Sequence, residues 1–275
     1  MKRDKVLILD KSAFHGTALS KLIKLAKCQC IILPHALCVE CVISEKGNPP
    51  RDSKDPICLM QKLIDLVKSG AHLGKSPGKI VEEEKSQNAA IKSLIDPEET
   101  KKMRKSILDT EPDLEKAREE CNSAFKPIMD SVGQWVDKYY KNIVKKELEK
   151  GFREEVGKGN LVGRLEKWLQ SIDKCKDDIS NNFLGNSISS DRWEWQLLRL
   201  SLAWGIELAS KRNESGPSFK NYDISNDIFD IHYVSHLSQA SGIIAGDKNL
   251  VQPLAKSAFP MKDVFNNIDD IPCKY

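Results

Sequence analysis

A chain of 275 residues is long enough to bury a sizeable core and to hold one large domain or two. Its 40% hydrophobic and 30% charged content is that of a soluble globular protein, and a net charge of +3 is too small to mark a nucleic-acid binder by charge alone. No stretch approaches membrane-spanning length, and Asp10 interrupts the first apolar run far short of a signal-peptide core, so a cytoplasmic protein with no membrane contact is expected. In that compartment the eight cysteines read as free thiols rather than a disulfide framework.

Residues 5–9 (KVLIL) form a short apolar run closed by Asp10, with Ser12 two positions on. Residues 31–33 form a second run. Pro34 suits an early helical position, and Glu40 falls about two turns into the helix that follows. Cys28 and Cys30 lead into the second run while Cys38 and Cys41 lie on that helix, so they lack the paired knuckle spacing of a zinc site and read as small buried thiols. Residues 44–55 (SEKGNPPRDSKD) have the composition of a loop.

Ile57, Met60, Leu63, Ile64 and Val67 recur at helical spacing, with Gly70 as the stop. The GKSPGK stretch at residues 74–79 is one residue short of a phosphate loop and follows an expected helix rather than a strand, so no nucleotide site is expected there. The glycine-rich stretch at residues 157–163 also has no strand in front and reads as a break between helices. From about residue 80 to 212 the pattern is almost wholly helical.

Phe125, Ile128, Met129, Val132, Trp135, Val136, Tyr139, Ile143 and Val144 make one apolar stripe. Leu161, Leu165, Trp168, Leu169 and Ile172 make a second. Trp193, Leu197, Leu200, Trp204 and Leu208 make a third, with Ser190 as its expected cap. Aromatic stripes of this kind read first as bundle core. On the first helix Lys138, Lys141 and Lys145 interleave with Tyr139 and Tyr140, which reads either as an ordinary solvated face with i, i+4 ion pairs or as a single-strand RNA-binding face.

After turn-forming residues 213–221 comes an acidic helix in which Asp227 and Asp230 stand three apart, among Ile228, Ile231, Val234 and Leu237. His232 lies about 200° around that helix from Asp230 and, with His236, faces away from the acids. Gly242 is expected to stop the helix, Ile243 and Ile244 to begin a buried strand, and Asp247 to stand at its end. If the strands are parallel neighbours, Asp10, Glu40, Asp230 and Asp247 converge where open α/β sheets hold their ligands.

An aspartate closing the first strand, a glutamate in the next helix, an aspartate on a late helix and another closing the strand after it form a pattern that resembles the PIN-domain nucleases. The resemblance covers residues 2–45 and 221–275. It departs from the family in length and at Ala245, where a Thr or Ser is usual two residues before the last aspartate. It implies an α/β fold with a central parallel sheet flanked by helices, built from residues 1–55 and 216–275, with residues 56–215 as a large all-helical insertion. It also implies a metal-dependent endoribonuclease of toxin-like or RNA-processing type.

Clustered carboxylates repel one another unless a divalent cation neutralises them, and oxygen ligands suit Mg²⁺ or Mn²⁺. Asp10 and Asp247 are the first expected ligands and Asp230 a third, with Glu40 a ligand or the orienter of a water. Ser12 and Asp227 support them; Asp227 is equally suited to capping its helix. The other reading is a catalytically weak PIN-like scaffold that binds RNA or a protein partner through its helical insertion.

Overall fold

Four consecutive apolar residues form strand β1 (Val6–Leu9). The computed structural model, which describes residues 5–43, 56–105, 160–211 and 225–272, sets this strand at the centre of one parallel sheet. Along the chain follow α1 (Lys11–Gly16), α2 (Leu19–Cys28), β2 (Cys30–Leu33), α3 (His35–Ile43), α4 (Pro56–Lys68), β3 (His72–Leu73), α5 (Pro77–Gln87) and α6 (Pro97–Lys105). Then come α7 (Leu161–Lys174), α8 (Lys176–Leu184), α9 (Trp193–Lys211), α10 (Ser225–Ser235), β4 (Gly242–Ile244), α11 (Val251–Ala258) and β5 (Asp263–Phe265). The Phe125–Val144 stripe, the loops at 44–55 and 213–221, and Lys138, Lys141 and Lys145 lie outside the described residues.

The strands lie in the order β3-β2-β1-β4-β5, and every neighbouring pair is parallel. The expected α/β architecture, a parallel sheet with flanking helices, is therefore present. From β1 the chain steps outward to β2 and β3, then returns to the other side of β1 for β4 and β5. The reversal lies between β1 and β4, and a crevice opens at the carboxyl ends of strands at such a switch point. Leu7, Ile8, Leu9, Ile31, Ile32, Leu33, Ile243 and Ile244 are all buried, without the in–out alternation of a one-sided sheet. Unbroken burial means that helices cover both faces.

Three local expectations need correction. The GKSPGK stretch follows strand β3, which pairs with β2, so the sheet reaches into the region expected to be all-helical from residue 56. A run of two strand residues is too short to show in a periodicity. Gly242 does not stop a helix; α10 ends at Ser235, and Gly242 is itself a strand residue, paired with both Leu7 and Asp263. A Cβ at this position would stand 2.7 Å from the Asp263 carbonyl oxygen, so the close approach of β5 requires glycine there. Nor does Ser190 cap α9: the Trp193 and Glu194 amides donate instead to the Glu84 carboxylate, at 2.7 and 3.2 Å, from α5.

The two aromatic stripes within the described residues are core. Trp168, Trp193 and Trp204 are buried, as are Trp195, Leu198, Leu202 and Ala203 on other sides of α9. That helix packs between α7 and α10, and α7 packs in turn on α11. His232 and His236 are wholly inside, their ring centroids 4.6 Å apart, and Trp193 Nε1 donates to His236 Nδ1 at 3.1 Å. Burial holds both imidazoles below their ordinary pKa, His236 at about 4. Among the described residues no helix is long and apolar enough to cross a membrane.

Candidate active site

Asp10 follows the last residue of β1 and caps α1, its side chain accepting from the Ala13 amide at 2.7 Å. Its own amide donates to the Ile244 carbonyl, which ties the end of β1 to the end of β4. Ser12 supports it as expected: its hydroxyl lies 2.8 and 2.9 Å from the two Asp10 oxygens and accepts from the Gly246 amide at 2.7 Å. A Cβ on Gly246 would stand 2.9 Å from that hydroxyl, so glycine allows the two strand-end loops to meet. Only 2% of Asp10 is exposed. Burial raises its pKa to about 6 despite the Ala13 and Ser12 hydrogen bonds, and Asp247 and Glu40 add to the rise.

Asp247 stands three residues past β4, on the turn into α11, and its oxygens accept from the Asn249 and Val251 amides at 2.8 and 3.3 Å. Ala245, the departure from the resembled pattern, is buried, and its carbonyl accepts from the Gln252 side chain at 2.7 Å. Asp230 projects from α10. Burial drives its carboxyl up to about 8, helped by Glu40, Asp247, Asp10 and Asp227. Four acids from four parts of the chain are thus electrostatic neighbours. Asp227 is less central: its carboxylate accepts from Trp204 Nε1 at 2.9 Å, which ties α10 to α9.

Two residues escaped the sequence reading. The Lys11 ammonium pairs with Glu40 Oε1 at 3.0 Å, and the Tyr233 hydroxyl donates to Glu40 Oε2. Burial first, and then the Glu40 charge, hold the Tyr233 phenol well above its ordinary pKa, so it stays a donor. Their signals were faint: Lys11 adjoins Asp10, and Tyr233 lies three residues after Asp230 on the same helical face.

Among the described residues no three His, Cys, Asp or Glu side chains stand grouped so as to hold an ion in this arrangement. Asp10 and Asp247 direct oxygens at backbone amides, and Glu40 is engaged by Lys11 and Tyr233. The chemistry of the donor set nevertheless suits a hard divalent cation: it is all carboxylate, and Asp230 is raised by burial together with four acidic neighbours, an excess of negative charge that such a cation would offset. Cys28, Cys30, Cys38 and Cys41 form no disulfide and, among the described residues, join no such group; burial pushes the Cys41 thiol up.

These features define a parallel α/β protein with an acidic cluster at the switch point of its sheet. No protein-family model matches the chain, and no significant match was found among curated proteins or solved structures.

Proposed function

We propose that the chain is a PIN-like, Mg²⁺- or Mn²⁺-dependent endoribonuclease that hydrolyses phosphodiester bonds of single-stranded RNA in the cytoplasm. One observation carries this reading. Asp10 and Asp247, from the ends of adjacent strands β1 and β4, share a charge cluster with Glu40 and Asp230 at the crevice where such sheets take ligands. A bound divalent ion would lower the pKa of a water and offset charge on the phosphate oxygens. Asp10, Asp247 and Asp230 would hold that ion. Glu40 would be a further ligand of that ion, and Ser12 keeps Asp10 in its rotamer while locking the two strand-end loops together. Lys138, Lys141 and Lys145 are proposed to hold the RNA backbone.

The test is cleavage of a single-stranded RNA with and without Mn²⁺, beside Asp10→Asn. Divalent-dependent cleavage that Asp10→Asn abolishes supports the reading; cleavage that survives in that variant refutes it. The Lys11–Glu40 ion pair and Ala245 favour a second reading, a catalytically weak PIN-like scaffold that binds RNA or a protein partner through its helical insertion. RNA binding without any cleavage in the same assay selects it.

A further inference from the structure

Both oxygens of Glu40 are held by side chains, and the two partners stand beside two of the other acids. Lys11 follows Asp10 at the start of α1, and Tyr233 shares a face of α10 with Asp230. They differ in kind. Tyr233 is a fully buried neutral donor whose aim is set by packing. Lys11 is a charged group on a flexible stem, its side chain 37% exposed, so it can leave for solvent without unfolding anything.

We infer that Tyr233 is a positioning residue that holds Glu40 against the acidic cluster, and that Lys11 is the resident cation of the cluster, which a divalent ion must displace from Glu40. This rests on the metal-site reading above. A phenol hydroxyl steadies the carboxylate whether or not a metal is bound, as a partner one shell out from the ion does. An ammonium competes with the ion for the same oxygen. The two residues therefore act on metal affinity with opposite signs, which a generally structural role would not produce.

The experiment is Mn²⁺ titration calorimetry on the full chain at pH 7.5. Tyr233→Phe is expected to weaken binding about tenfold. Lys11→Met is expected to tighten it about threefold to fivefold, as removal of a part-exposed ion pair allows, while Lys11→Arg keeps the charge and stays near wild type. If wild type binds Mn²⁺ but these variants leave the affinity unchanged, or Lys11→Met weakens it, the inference falls and the metal-site reading stands. If wild type takes up no Mn²⁺ but Lys11→Met does, the native chain is no metal enzyme while the blocking role of Lys11 holds. If neither binds, both fall together. Should Tyr233→Phe not fold, the comparison of Met with Arg at Lys11 decides.

Discussion

Replacing Asp230 by Asn removes the carboxyl whose ionisation the cluster disfavours most and changes little else. Its carboxyl sits at about 8 against an ordinary 3.8 because burial and acidic neighbours disfavour the anion. A raised carboxyl pKa has the sign opposite to the usual salt-bridged aspartate: the folded chain keeps a proton that the unfolded chain releases. Stability is therefore fully present below pH 3.8 and is lost as pH rises towards about 8. At about 1.4 kcal/mol per pKa unit, the loss between pH 4 and pH 7.5 is on the order of 4 kcal/mol. Asp230→Asn is neutral at every pH and should escape it. Urea unfolding of both proteins at pH 4.5, 6 and 8, without divalent ions, should show the variant gaining on wild type as pH rises, by a few kcal/mol at pH 8. A constant difference across that range, or a variant that loses ground as pH rises, refutes the view that Asp230 is held in a crowded acidic cluster.

Other outcomes follow from the same geometry. Mn²⁺ at about a hundred times its Kd should stabilise the wild type by roughly 2.7 kcal/mol, seen as a higher melting temperature that Asp247→Asn largely abolishes. Asp10, Glu40, Asp230 and Asp247 should each cost most of the RNA cleavage when neutralised singly, and pairs of substitutions should cost little more; additive losses would assign them separate structural roles. Gly242→Ala drives a methyl group against the Asp263 carbonyl and should cost about 1–3 kcal/mol in urea unfolding, whatever the pH. Changing Lys138, Lys141 and Lys145 together to Gln should weaken RNA binding and flatten its dependence on salt; an unaltered slope points the insertion at a protein partner instead.

Much of the sheet was legible in one dimension because its central strands are short apolar runs buried on both faces. The runs at residues 5–9 and 31–33 and the Ile243–Ile244 pair needed only hydropathy to be found. The helices α4, α7 and α9 announced themselves through apolar spacing, and Gly70 does lie just beyond α4. The acids were legible for the same reason: a carboxylate directly after an apolar run stands out, and Asp10 does cap the helix beyond β1.

What sequence alone could not supply was everything that depends on which segments become neighbours. Strand β3 has two residues and no periodicity of its own; it is a strand because β2 offers it hydrogen-bond partners. Gly242 looks like a helix stop in a linear reading, yet its role is set by the approach of Asp263 from the adjacent strand. Glu84 lies 109 residues from the Trp193 amide it caps, so no local signal could outrank Ser190. The state of the acidic cluster belongs to the same class. That Asp230 is pushed up, that Glu40 is clamped by Tyr233 and Lys11, and that Asp227 is drawn to Trp204 are consequences of burial and distance, which exist only once the chain has folded.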